Sequence, residues 1–117
     1  MEAEKPWLLA FLRRMSVRPG AYLGSERVEA LELFINAYTQ ARTDLGVPEF
    51  GSGEERMLVD FTQWLEERLG IHDTRGWWGL IARFDASDTN VRTFVHLFDE
   101  FLRTSVGDAQ GLCQRSA

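Results

Sequence analysis

Cysteine is almost missing from this chain. Cys113 stands alone in a polar C-terminal stretch, so neither an internal disulfide nor a thiolate metal cluster is available to it. That usage suits a reducing compartment, and the sequence is expected to be cytoplasmic. Lysine is equally scarce: Lys5 is the only one beside twelve arginines, whose planar forks suit paired carboxylates and aromatic faces. No apolar run is long enough to cross a bilayer. Met1 to Lys5 is acidic, and Arg13 and Arg14 interrupt the apolar run that follows, unlike a secretory signal. No membrane partner is therefore expected. Alternating strand patterns, internal repeats and low-complexity tracts are missing too, which points to helices.

What the chain does contain is apolar bulk. Its 117 residues suit one domain with one core. A hydrophobic share of 44% with 26% charged residues is globular composition. Eight Phe, four Trp and two Tyr supply large buriable surfaces. Eighteen acidic residues against thirteen basic ones leave a net charge of −5, which opposes direct binding to nucleic acid and favours a basic protein partner.

Periodicity predicts about five helices in a compact all-α bundle over residues 1–107, with residues 108–117 as a disordered tail. The first helix spans Pro6 to Met15, with Trp7, Leu8, Phe11, Leu12 and Met15 at helical spacing. Arg18, Pro19 and Gly20 then break the pattern. Ser25 is placed as the N-cap of a second helix running to about Leu45, stopped by Gly46 and Pro48. A third spans Glu54 to Leu69, ended by Gly70. The segment Gly70 to Phe84 is irregular, and Asp73 or Thr74 is the candidate cap of a short helix through Trp77, Trp78, Leu80, Ile81 and Phe84. The last helix carries Val91, Phe94, Val95, Leu97, Phe98, Phe101 and Leu102 up to Gly107. The expected core is Trp7, Phe11, Tyr22, Leu31, Phe34, Tyr38, Phe61, Leu65, Phe94, Phe98 and Phe101.

Catalytic chemistry finds little support. Ser16, Ser25 and Ser87 lie beside turns or caps. His96 and Glu100 share an i, i+4 spacing and His72 neighbours Asp73, but a metal needs convergent ligands that sequence spacing alone does not supply. No cofactor or metal is assigned. Carboxylates cluster at Glu54 and Glu55, Glu66 and Glu67, and Asp99 and Glu100, and they read either as solvated helix faces or as an acidic docking surface joined by Asp60. Trp77 and Trp78 are adjacent, so one is expected at the surface, either as an interface anchor beside Arg75 or half-covered by neighbouring helices.

The segment Arg18-Pro-Gly-Ala-Tyr-Leu-Gly24 resembles the Arg-Pro-Gly-Met-Tyr-Ile-Gly segment near the start of the DNA gyrase B ATPase domain, and Glu32 and Asn36 repeat that family's Glu-x-x-x-Asn spacing. The later glycine-rich nucleotide motifs are missing, and the chain is too short for the sheet that holds the nucleotide. A wider resemblance, from about residue 15 to 103, is to small uncharacterised bacterial proteins of immunity type. It rests on Arg18, Pro19, Tyr22, Leu23 and Gly24, on Phe61, Trp64, Leu65 and Arg68, on Gly76 and Trp77, and on the Phe98 to Phe101 helix. That resemblance implies a non-catalytic inhibitor that occludes a cognate toxin. The expected contact residues are Asp60, Glu66, Glu67, Arg75, Trp77 and Trp78, and the expected partner is a toxin with a basic surface. A homodimeric regulatory or adaptor domain is the alternative, with a small helical enzyme behind it.

Overall fold

The structure is a computed structural model that describes residues 7–46 and 52–106. Among the described residues six α-helices follow one another: α1 Trp7–Met15, α2 Pro19–Leu23, α3 Val28–Asp44, α4 Ser52–Leu69, α5 Trp77–Phe84 and α6 Asn90–Phe101, the last continuing into a π-helical turn, Leu102–Val106. Among the described residues no strand occurs, and the fold is an all-α bundle. The segment expected to break after α1 instead makes a helical turn of its own. Pro19 sits in its first turn, where a missing N–H costs nothing, and Gly24 closes it at φ +71°, its N–H reaching the Gly20 carbonyl at 2.8 Å.

Helix α6 is the spine of the core. Val91, Phe94, Leu97, Phe98 and Phe101 recur at three- and four-residue steps and are all buried, which gathers them on one stripe. Phe61 of α4 enters this stripe with no exposed surface. Its ring meets Phe94 edge-on at 5.7 Å, Phe98 edge-on at 4.7 Å and Phe101 at 5.3 Å, in the crossed geometries that aromatic quadrupoles favour. Leu8, Leu12 and Met15 of α1, Val28, Leu31 and Ile35 of α3, and Leu80 and Ile81 of α5 complete one continuous core.

Three expectations need correction. Tyr22 and Tyr38 are not core residues: they are 45% and 39% exposed. They end a row in which Tyr22 meets Phe11 edge-on at 6.0 Å, Phe11 stacks on Phe34 at 4.6 Å, and Phe34 lies 6.3 Å from Tyr38. Each phenol has a wet end and an apolar body, so a rim position suits it. Ser25 does not cap α3 directly, because its hydroxyl accepts only the Arg27 N–H. The Trp7 side chain, Glu54 and Glu55, and the tail beyond residue 106 lie outside the described side chains.

The Val28 N–H at the start of α3 is met by a residue sixty-two positions away. Asn90 is only 1% exposed, its Oδ1 accepts the Val28 N–H at 2.7 Å, and its Nδ2 donates to the Asp85 carbonyl at 2.9 Å. In return the Val91 N–H of α6 donates to the Glu26 carbonyl at 2.9 Å. Two helix N-termini thus cap each other, each satisfying an orphan donor of its neighbour. Two such positive ends repel, and the carboxylates of Glu26 and Asp88 sit beside them. Glu26 receives Arg92 at 2.7 Å and 3.2 Å, and Asp88 receives Arg27 at 2.7 Å. These surface pairs add little energy individually; the buried amide carries the junction. Replacing Asn90 with Ala strands a buried donor and a half-buried carbonyl, and is expected to lower stability by about 2 kcal/mol in urea unfolding. A loss below about 0.5 kcal/mol, the range of an ordinary surface change, contradicts this role.

Candidate functional site

The irregular loop between α4 and α5 is organised by one carboxylate. Asp73 is 7% exposed. Its Oδ1 accepts the Arg75 N–H at 2.8 Å and Nε–H at 2.9 Å, its Oδ2 accepts Arg75 Nη2 at 2.8 Å, and Arg83 Nε reaches it at 3.3 Å. A buried carboxylate survives when its oxygens are filled in this way. The expected cap of α5 by Asp73 or Thr74 does not form. Gly76, at φ +94°, precedes the helix without any side-chain cap; the Asp73 side chain instead folds the loop onto Arg75. The close packing depends on Gly79, where a Cβ would lie 2.5 Å from Asp73 Oδ1 and 2.6 Å from Arg75 Cβ.

The same loop sets the two tryptophans. Both are half-buried and pack against the core. Trp77 lies 5.3 Å from Phe94, and the Arg75 guanidinium stands 4.9 Å over the Trp78 ring. Arg75 therefore spends its fork on Asp73 and its face on Trp78, within the same molecule. Each indole keeps part of its surface exposed, and the Arg75 side chain is still 46% exposed.

The acidic candidates lie along α4. Asp60 and Glu67 are seven residues apart and both exposed, a spacing that puts them on one outward face. Asp60 pairs with the exposed Arg56 at 3.3 Å. Glu66 is turned aside and meets His72 Nδ1 at 2.7 Å. The structure thus sets Asp60 and Glu67 on one face of α4, ties Glu66 to the loop, holds Arg75 and Trp78 in the Asp73 cluster, and packs Trp77 on Phe94.

Other chemistry proposed from the sequence is used in the fold. Glu100 accepts Arg68 Nε and Nη2 at 2.8 Å and 3.3 Å, while His96 is exposed. Among the described residues no three of His, Cys, Asp and Glu gather as a metal would need. Ser16 donates to the Arg13 carbonyl, and Ser87 accepts the Thr89 N–H. Glu32 accepts a hydrogen bond from Asn36 on the same helix turn. Asp73 and Asn90 are the polar residues that sequence reasoning undervalued. Asp73 stands in a loop close to Gly76 and Gly79, and Asn90 is the first residue of α6, beside Val91.

Acid titration tests the Asp73 cluster. The Arg75 side chain, then the Arg75 N–H, hold the Asp73 carboxyl well below the ordinary carboxylate range. The Thr93 hydroxyl, then the Ser87 N–H, depress Asp85 likewise. A depressed carboxylate contributes stability that is complete above its unfolded value, about 4, and is lost as pH falls through the folded one. The melting temperature is therefore expected to hold from neutral pH to about 5 and to fall below about 4. Asp73→Asn is expected to be less stable at pH 7 and to lose part of that acid dependence. Parallel curves for the variant and the parent contradict this.

No protein-family model, no curated protein and no solved structure matches the chain.

Proposed function

We propose that this chain is a non-catalytic protein-binding domain, an immunity-type inhibitor that neutralises a cognate bacterial toxin by covering it. The observation that carries the binding part is the outer face of α4, where Asp60 and Glu67 stand exposed two helical turns apart and Val59, 53% exposed, borders that face. Exposed carboxylates around an apolar contact attract a basic protein and orient its approach, raising the association rate more than the affinity. The half-exposed edges of Trp77 and Trp78, with Arg75, supply apolar anchoring of the kind that dominates binding energy. The toxin as partner rests on the resemblance carried by Arg18 to Gly24, Phe61 to Arg68, and Gly76 with Trp77. A homodimeric regulatory domain is the second reading, favoured by the exposure of Leu33 and Tyr38 along α3.

The test begins with the partner captured from native lysate by the tagged chain, followed by stopped-flow association of the purified pair. The triple variant Asp60→Asn, Glu66→Gln, Glu67→Gln is expected to slow association about tenfold at low salt and to flatten its salt dependence. An unchanged rate and slope remove the acidic face from the mechanism. A stable dimer by light scattering, with no other partner captured, favours the homodimeric reading.

A further inference from the structure

The chain carries more acid than base, so its arginines have carboxylates to choose from. Among the described side chains, Arg27, Arg56, Arg68, Arg75, Arg83, Arg92 and Arg103 each meet one, and Arg13 is engaged as well. Arg14 and Arg18 are exposed and meet none among the described residues. These two line the same open hollow of about 350 Å³ at the junction of α1 and α2, together with Val17 and Tyr22. Val17 is 76% exposed, and the Tyr22 hydroxyl has no hydrogen-bond partner among the described residues. Two arginines with no carboxylate partner among the described residues, a tyrosine and an exposed valine thus line one shallow, open surface. Its floor is continuous with the core through the Tyr22 and Phe11 ring contact.

We propose that this hollow receives an acidic, apolar-flanked segment of a partner protein. A carboxylate of that segment takes the forks of Arg14 and Arg18 and the Tyr22 hydroxyl, in charge-assisted hydrogen bonds, while a neighbouring apolar side chain packs on Val17 and the Tyr22 ring. Charge complementarity selects the occupant: the hollow is locally basic on a molecule whose net charge is −5. A nucleic acid needs a longer basic track than two residues, and the acidic remainder of the surface repels its backbone. A peptide needs only local complementarity. The proposal shares no residue with the acidic face of α4, so either surface can fail without the other.

The test uses the full chain and fluorescence anisotropy with a labelled peptide alternating glutamate and leucine. Controls are the same peptide with lysine in place of glutamate, and a single-stranded oligothymidylate. The glutamate peptide is expected to bind, to weaken with added salt, and to weaken about tenfold in Arg14→Gln/Arg18→Gln, whose exposed positions leave the thermal melt unchanged. Tyr22→Phe, which removes only the hydroxyl, is expected to weaken it to a smaller extent. The proposal is overturned by absence of glutamate-peptide binding, by equal binding to the double variant, or by tighter binding of the oligothymidylate than of the peptide.

Discussion

The arrangement of this bundle depends on the Asn90 side chain. Its amide links the first N–H of α3 to the carbonyl of Asp85, while the backbone of α6 returns a bond to Glu26. The contact joins two parts of the chain more than sixty residues apart, so it fixes how the helices cross as well as how α3 begins. Apolar packing on its own is tolerant of sliding and rotation among helices of similar size. A buried amide with both ends satisfied is not, because each displacement strands a donor or an acceptor away from water. The core around Phe61 provides most of the favourable free energy, and Asn90 selects the one packing in which that energy is obtained.

Asp73 plays a related part in the loop before α5. Its carboxylate gathers Arg75 and Arg83, Arg75 covers Trp78, and Gly79 leaves the room for both. A carboxyl held so firmly in its charged form is a poor proton donor or acceptor near neutral pH. Its position in the fold therefore argues for a structural task. The described surface has two signs: exposed carboxylates along α4, and at the α1 and α2 junction two guanidiniums without a carboxylate partner among the described residues. The aromatic row from Tyr22 to Tyr38 connects the basic hollow to the interior, so a contact made there rests on rigid support.

Much of this was legible in the sequence. Three- and four-residue apolar spacing identified the helices now seen at α1, α3, α4 and α6, and Gly46 and Gly70 marked two helix ends at positive φ. The failures share a cause. Ser25 and Asp73 were read as local caps because local hydrogen bonding is what a linear pattern reveals, while the partner actually used by Val28 comes from the far end of the chain. Tyr22 and Tyr38 are expected in the core, yet each lies at the rim, 45% and 39% exposed. No pattern in the sequence marks Arg14 and Arg18 as lacking a carboxylate; only the pairing of their fellow arginines among the described residues sets them apart.

Hydrogen exchange at the Val28 and Val91 amides tests the central constraint most directly. A helix's first N–H groups ordinarily exchange by fraying, because nothing inside the helix holds them. If Asn90 and Glu26 lock the two N-termini together, both amides exchange only in the global unfolding event, with the same free energy as the core of α6, and Asn90→Ala releases Val28 to fast local exchange. Fast exchange of Val28 in the parent protein, at the rate of a frayed helix end, contradicts the account.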